Sequence, residues 1–132
     1  MSGAPPVVAI LNSNDDAVEM LRTLLESEGM VAVSAHVSAM RRGHFDFSGF
    51  ISEHDPQVVI YDIVPPYDRS WTFFLHLKAM PTMAGRRFVL TSTNPQRVLE
   101  VAGRDQEVFE IIGQPYDLQV IADAVKRGVA GG

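Results

Sequence analysis

One aspartate follows directly after an uninterrupted apolar run in the middle of the chain. Residues 58–61 read Val-Val-Ile-Tyr and lead into Asp62, and two prolines follow at positions 65 and 66. A run of this kind is typical of a strand that is buried on both faces of a parallel sheet. Asp62 would then stand at the carboxyl end of that strand, where open α/β sheets place binding and catalytic groups. An aspartate at this position could equally begin a solvated turn.

Strands and helices are predicted to alternate along the whole chain. Apolar runs predict four further strands, at residues 7–11, 31–35, 88–91 and 109–112. Apolar residues at helical spacing predict five helices, at residues 15–29, within 38–56, at 71–80, 98–103 and 118–129. Residues 40–45 show no clear period and are predicted to form a loop. This alternation favours right-handed βαβ units and a doubly wound α/β fold with helices on both faces of a five-stranded parallel sheet.

Length and composition indicate one globular domain. The 132 residues are 46% apolar and 20% charged, with a net charge of −5 and no cysteine. We expect a single domain over residues 7–129, with flexible ends at 1–6 and 130–132. The negative charge disfavours nucleic acid as a partner. The chain has neither a signal peptide nor an apolar run long enough for a membrane span, so we expect a cytoplasmic protein.

The order of these elements and a few short motifs resemble a known family. Five βα units, Asp62 with Pro66 four residues later, Thr91-Ser92 after the fourth strand, and the turn at residues 115–118 are similar to receiver domains. These CheY-like, flavodoxin-like domains are the phosphoacceptor modules of two-component response regulators. The resemblance covers residues 7–129 and implies the strand order 2-1-3-4-5. It also implies a crevice at the ends of strands one, three and five.

Two of the family's functional roles fall on residues of the expected type. The resemblance places the phosphoacceptor on Asp62 and the switch hydroxyl on Thr91. It also makes Pro115 a candidate for a cis peptide bond, since the family's equivalent bond is expected to be cis. Structural roles are open for both matched residues, because Asp62 could form a turn and Thr91 could simply be a β-branched residue that ends a strand.

Three other roles fall on residues with different chemistry. The acidic pair that would hold Mg²⁺ falls on Asn12 and Ser13, and the family's lysine falls on Gln114. The aromatic switch position falls on Ile111. The resemblance therefore implies a degenerate receiver, or pseudo-receiver, in which the charged groups around Asp62 are missing.

The missing charges predict a weak metal site. Mg²⁺ prefers hard oxygen ligands, and each carboxylate near it contributes up to ~4 kcal/mol at 4 Å and an effective dielectric of about 20. Without Mg²⁺, phosphoryl transfer to Asp62 lacks charge neutralisation, so we expect no cofactor unless the site is still competent. Asp15 and Asp16 offer an alternative acidic pair three residues later. Their position in the first turn of a helix favours the simpler role of complementing the helix dipole.

Three functions are compatible with these observations. The leading one is a signalling module that binds a protein partner, either a histidine kinase or a downstream effector, with little or no phosphorylation of Asp62. The resemblance suggests that the fourth helix, fifth strand and fifth helix form the interaction face, with Val98, Val101, Arg104 and Phe109, and that two copies could pair there. The alternatives are a genuine phosphoacceptor and an unrelated flavodoxin-like ligand binder. The last lacks a glycine-containing phosphate loop after the first strand.

Overall fold

The fold is a five-stranded parallel sheet with helices packed on both of its faces. The computed structural model describes residues 4–43, 45–102, 108–113 and 117–130. In chain order the elements are β1 (Val7–Leu11), α1 (Asp15–Ser27), β2 (Val31–Ala35), α2 (Val37–Arg41), α3 (Phe47–His54), β3 (Val58–Ile63), α4 (Tyr67–Lys78), β4 (Arg87–Ser92), α5 (Pro95–Ala102), β5 (Val108–Gly113) and α6 (Leu118–Ala130). A 3₁₀ turn, Pro81–Met83, precedes β4. Across these described ranges no helix combines the length and apolar character needed to cross a membrane.

The strands are ordered β2-β1-β3-β4-β5, and every pairing is parallel. This confirms the predicted doubly wound α/β fold and its strand order. β1 and the first four residues of β3 are unbroken apolar runs, as expected for central strands that are covered on both faces. Asp62 is the fifth of the six residues of β3, and it lies in register with Thr91 on β4.

Two separate apolar clusters cover the two faces of the sheet. Helices α1 and α6 cover one face, and the buried residues there are Val8, Ile10, Val18, Leu21, Leu25, Met30, Ala32, Val58, Ile60, Val89, Ile121, Ala124 and Val125. Helices α2 to α5 cover the other face, where an aromatic group dominates. Phe74 lies at its centre, with ring centroids 5.2 Å from Tyr61, 5.3 Å from Trp71 and 5.2 Å from Phe88. Contacts between aromatic rings at such distances add to the apolar burial that fixes α4 on the sheet.

The segment between β2 and β3 differs from the prediction. A single helix was predicted within residues 38–56 and a loop at 40–45, whereas the chain forms two helices, α2 and α3. The five-residue α2 includes Met40, so the predicted loop was wrong at its start. Val37 and Met40 are spaced one helical turn apart and are both buried, which accounts for the extra helix. An apolar pair is too short a pattern to reveal a helix from sequence alone.

A partly buried arginine joins two turns at the amino-terminal edge of the sheet. Arg86 precedes β4, and its Nε donates a 2.8 Å hydrogen bond to the Thr82 carbonyl. Its Nη1 donates to the carbonyl of Pro56 at 2.7 Å and to Oδ1 of Asp55 at 2.8 Å. These bonds join the turn after α3 to the turn before β4, on the edge opposite Asp62.

An ion pair links the last helix to the first near this same edge. The Lys126 ammonium on α6 contacts the Glu28 carboxylate, which follows α1. The hydrogen bond that Lys126 donates to Glu28, together with the negative charge of that carboxylate, raises the pKa of Lys126 above its ordinary value. Since α6 starts after the carboxyl end of β5, this contact fixes the late turns of α6 beside the start of β2.

Candidate functional site

The candidate site lies at the carboxyl edge of the sheet, where β1, β3 and β4 end next to one another. Parallel pairing sets Leu11 beside Tyr61 and Asp62 beside Thr91. The loops that follow these strands therefore surround a common crevice. The structure brings Asp62 and Thr91 together as predicted.

Asp62 and Thr91 form the polar centre of this crevice. The Thr91 hydroxyl donates a hydrogen bond of 2.6 Å to Oδ1 of Asp62. Thr91 is fully buried, and Asp62 is half-buried. In-register pairing of β3 and β4 places both side chains at the same height on the sheet. The carboxylate is therefore held from one side by a fixed hydroxyl group.

Asn12 uses its side chain to shape the loop after β1. It is only 3% exposed, and its Oδ1 accepts a 2.8 Å hydrogen bond from the Asn14 backbone N–H. This is the pattern in which an Asn side chain bonds the backbone two residues later and tightens a turn. Asn14 in turn accepts from the Ala17 N–H at 3.0 Å and caps α1. The amide of Asn12 thus supports the turn that starts α1.

Ser13 and Asp15 join this loop to the start of α2. The Ser13 hydroxyl oxygen accepts a 3.1 Å hydrogen bond from the Ser38 backbone N–H. Asp15 Oδ1 lies 2.6 Å from Nε2 of His36, the residue that precedes α2. The structure therefore gives Asp15 a side-chain partner on the β2 side of the crevice, which the sequence did not predict.

The described part of the chain contains no cluster of acidic and histidine residues suited to a metal ion. Within residues 4–43, 45–102, 108–113 and 117–130, no three His, Cys, Asp or Glu side chains lie together in such an arrangement. Asp15 and Asp16 both stand in the first turn of α1, as predicted, and both are exposed. The neutral groups Asn12 and Ser13 hold the strand-end positions between them and β1.

Two hydroxyl groups that sequence reasoning missed order the loops above Asp62. Ser70 is buried on α4, and its Oγ accepts a 3.3 Å hydrogen bond from the Val64 N–H. The Tyr67 hydroxyl lies 2.8 Å from Oγ1 of Thr93, so it joins the start of α4 to the loop after β4. The sequence did not predict this hydrogen bond, because Tyr67 and Thr93 are 26 residues apart along the chain. The peptide bond between the two prolines before it, Pro65 and Pro66, is cis.

The structure describes β5 but not the three residues directly after it. Gln114 and Pro115 lie outside the described residues, so the predicted lysine position and the predicted cis bond remain predictions. Ile111 lies on β5 in register with Leu90. Gly113 ends β5 opposite Ser92 and lies close to the Pro95 ring, since a Cβ on Gly113 would come within 2.6 Å of Pro95 Cγ.

The predicted interaction face needs one correction. Its fourth and fifth predicted helices correspond to α5 and α6. Val98 on α5 is fully buried in the core, so it cannot form part of an exposed face. Leu99, its neighbour in sequence, is instead 50% exposed. The helix turns Val98 toward the sheet and Leu99 away from it. The sequence did not reveal this phase, because α5 is only eight residues long.

Comparisons with solved structures identify the fold. A sensor protein from Polaromonas sp. JS666 superimposes with a TM-score of 0.76 at 17% identity, covering 96% of this chain and 97% of its own. A CheY-like response regulator receiver domain from Methylobacillus flagellatus gives 0.70 at 18% identity, with 94% and 98% covered. A response regulator from Thermotoga maritima gives 0.74 at 13% identity, with 96% and 98% covered.

These likenesses extend over nearly the whole chain, and they confirm the predicted CheY-like fold. No protein-family model matches the sequence, and no curated protein matches it significantly. At identities below 20% the structural likeness establishes the fold alone, so the function must be argued from the site.

Proposed function

We propose that this chain is a receiver-type signalling module that acts by binding a protein partner, with weak or no phosphorylation of Asp62. One observation carries the proposal. The two positions after β1 that would hold an acidic pair are occupied by Asn12 and Ser13, and the side-chain oxygen of each already accepts a backbone hydrogen bond. These residues maintain the loop and supply no negative charge.

The donor set around Asp62 fits Mg²⁺ poorly. Mg²⁺ takes octahedral oxygen ligands and loses its waters reluctantly, so its protein sites usually depend on carboxylates. Asp62 offers one carboxylate, and one of its oxygens already accepts the Thr91 hydrogen bond. Asn12 and Ser13 would have to give up their loop hydrogen bonds to turn neutral oxygens toward an ion. The shortage of carboxylate ligands supports a metal-independent role for the crevice.

Phosphorylation of Asp62 would face a charge barrier under these conditions. A carboxylate that attacks an anionic phosphoryl donor needs positive charge nearby to offset the repulsion. The family's lysine position holds Gln114, whose amide can donate a hydrogen bond but carries no charge. Both sources of positive charge, the ion and the lysine, are therefore weakened in the same site.

Asp62 keeps a structural role in this proposal. Its hydrogen bond with Thr91 ties the carboxyl end of β3 to that of β4. The Tyr67–Thr93 hydrogen bond forms a second link between the loops that follow the same two strands. Together they hold the loop that leads into α5 in one arrangement without any added phosphoryl group. A partner would then recognise one constitutive state.

The proposed interaction face consists of α5, β5 and α6. Its described exposed apolar residues are Leu99 and Val120, at 50% and 38% exposure. Apolar side chains of this size commonly act as contact points in a protein interface. The occupant of this face would be a histidine kinase, a downstream effector or a second copy of the chain.

The competing function is a genuine phosphoacceptor, which the intact Asp62–Thr91 pair favours. Intact-mass measurement after incubation with acetyl phosphate, with and without Mg²⁺, separates the two functions, with Asp62→Asn as the control. We expect no mass increase of one phosphoryl group. A Mg²⁺-dependent increase that disappears in Asp62→Asn would reject the proposal and would direct attention to Asp15 and Asp16 as metal ligands.

A further inference from the structure

The open edge of the sheet at β2 is covered by one side chain from α1. Arg22 Nη1 donates a 2.8 Å hydrogen bond to the carbonyl of Ala32, and Nη2 donates a 2.9 Å hydrogen bond to Oγ of Ser34. The carboxylate of Glu19 lies 3.6 Å from Nε of the same guanidinium. The planar fork of arginine suits this arrangement because it can reach two acceptors on one strand at once.

The backbone groups beneath Arg22 point away from the sheet. Among the described residues, β2 is the outermost strand and pairs with β1 alone. The Val31 N–H donates to the Pro6 carbonyl, and the Ala35 carbonyl accepts from the Asn12 N–H. The backbone N–H and C=O groups of residues 31, 33 and 35 therefore point toward β1. The alternation of a strand then turns the N–H and C=O of residues 32 and 34 outward. Such a row of outward groups is a template for another strand.

We propose that β2 is a strand-pairing surface for a second copy of this chain, and that Arg22 keeps it closed. The inference goes beyond the proposed function because β2 is the edge opposite β5 and involves none of the crevice residues. The edge sequence Val-Ala-Val-Ser-Ala contains no charge and no proline, the features that usually protect an edge strand. Arg22 on α1 protects this edge instead, through its hydrogen bonds to Ala32 and Ser34.

A second copy fits this edge because the edge is self-complementary. Two β2 strands related by a two-fold axis at Val33 would run antiparallel and set Ala32 of each copy opposite Ser34 of the other. The outward N–H and C=O of both residues would then be paired in both copies. In the present structure the Ala32 carbonyl is occupied by Arg22, so a second strand can enter only when the guanidinium leaves.

Amide hydrogen exchange of the wild-type chain tests the geometry. We expect the amides of Ala32 and Ser34 to exchange at least tenfold faster than those of Val33 and Ala35, since only the latter pair face β1. Equal protection of all four amides in the wild-type chain would overturn the proposal, because the edge would then already be paired.

Removal of Arg22 tests the protection itself. Arg22→Ala is expected to raise the molar mass measured by light scattering toward twice the monomer value as concentration increases, and to slow exchange at Ala32 and Ser34. Arg22→Gln is measured in parallel, because it keeps a polar side chain on α1 but lacks the cationic fork. Two controls should behave as wild type. Arg69→Ala removes one exposed cation from α4, and Glu19→Ala leaves both edge hydrogen bonds in place.

A proline substitution on β2 tests whether the association of Arg22→Ala uses this edge. Ser34→Pro removes an outward donor without breaking the ladder to β1, since proline is tolerated where the N–H of an edge strand faces solvent. The double variant Arg22→Ala/Ser34→Pro should return to the mass of the wild-type chain. A mass for Arg22→Ala and Arg22→Gln equal to that of wild type at every concentration would overturn the proposal. An increase in mass that Ser34→Pro does not reverse would overturn it as well, because association would then use another surface.

Discussion

The Thr91 hydroxyl donates its hydrogen bond to Asp62 across two paired strands, over a distance of 2.6 Å. Thr91 is fully buried, so no rotation of its hydroxyl toward solvent can replace this bond. The Asp62 carboxylate is therefore part of the sheet's own hydrogen-bond network.

Loss of the Thr91 hydroxyl should destabilise the protein through Asp62. Thr91→Val keeps the shape of the side chain but leaves the carboxylate without this donor. Hydrogen bonds to charged groups contribute about 1.5–3 kcal/mol, so we expect the free energy of unfolding in urea to fall by that amount. In Asp62→Ala the same valine substitution should cost much less. Equal costs in the two backgrounds would show that the bond contributes nothing.

Restoration of the missing charges should create a phosphorylation site. The triple variant Asn12→Asp/Ser13→Asp/Gln114→Lys gives the crevice two further carboxylates and a cation. We expect Mg²⁺ to bind at least tenfold more tightly than to the wild-type chain, a gain of about 1.4 kcal/mol. Intact mass after incubation with acetyl phosphate should show a phosphoryl group that Asp62→Asn removes. A triple variant as inert as the wild-type chain would mean that the lost charges are not what limits the reaction.

The link between Tyr67 and Thr93 should control the order of the loop before α5. Tyr67→Phe removes the hydroxyl and keeps the ring, so it should lower stability by about 0.5–1.5 kcal/mol and accelerate amide exchange at the start of α5. Thr93→Val should have the same effect, and the double variant should add little to either. Fully additive effects would contradict a direct bond between the two hydroxyl groups.

Arg86, at the amino-terminal edge, should contribute far more to the free energy of unfolding than its acidic partner Asp55. Arg86→Ala breaks bonds to two carbonyl groups as well as to Asp55, and the Arg86 side chain is only 15% exposed. We expect the free energy of unfolding in urea to fall by about 2–4 kcal/mol, since two part-buried carbonyls lose a charged donor. Asp55→Asn should cost under about 1 kcal/mol, because that carboxylate is 82% exposed and asparagine tolerates the left-handed backbone conformation of residue 55 (φ 48°) as aspartate does. Similar costs for the two variants would show that the ion pair with Asp55, and not the hydrogen bonds to the carbonyls, provides the stabilisation.

The close approach of Gly113 to Pro95 should make an added methyl group costly. A Cβ at residue 113 would lie 2.6 Å from the proline ring, which cannot swing aside as a flexible side chain could. Gly113→Ala should lower the free energy of unfolding by about 1–3 kcal/mol, as overpacking does. Pro95→Ala removes the obstructing ring, so Gly113→Ala should cost clearly less in that background. An undiminished cost there would place the clash elsewhere.

The fold was accessible from the sequence because its signals are local and repeated. Five apolar runs alternate with amphipathic segments, and the resemblance supplied the strand order that local patterns do not encode. The division of the segment before β3 into α2 and α3 was missed, because only Val37 and Met40 mark the first of these helices. The phase of α5 was also missed, so Val98 was assigned to the surface although it is buried.

The positions of the candidate site residues at the strand ends were predicted, but their side-chain contacts were not. Motif spacing located Asp62, Thr91, Asn12 and Ser13, since these residues stand at strand ends. The pairing of Asp15 with His36 and of Tyr67 with Thr93 depends on how distant loops meet in space. Side-chain hydrogen bonds across such distances in sequence leave no periodic pattern from which they can be inferred.

The direction of the last helix has a practical consequence for binding assays. β1 begins at the amino-terminal edge of the sheet, and α6 runs back toward that edge, where Lys126 contacts Glu28. Asp62 and Thr91 lie at the opposite edge. A fluorescent reporter or surface tether attached ahead of β1 or beyond α6 would therefore start from the edge opposite the crevice, so immobilised protein can be screened for partners with the crevice facing solution.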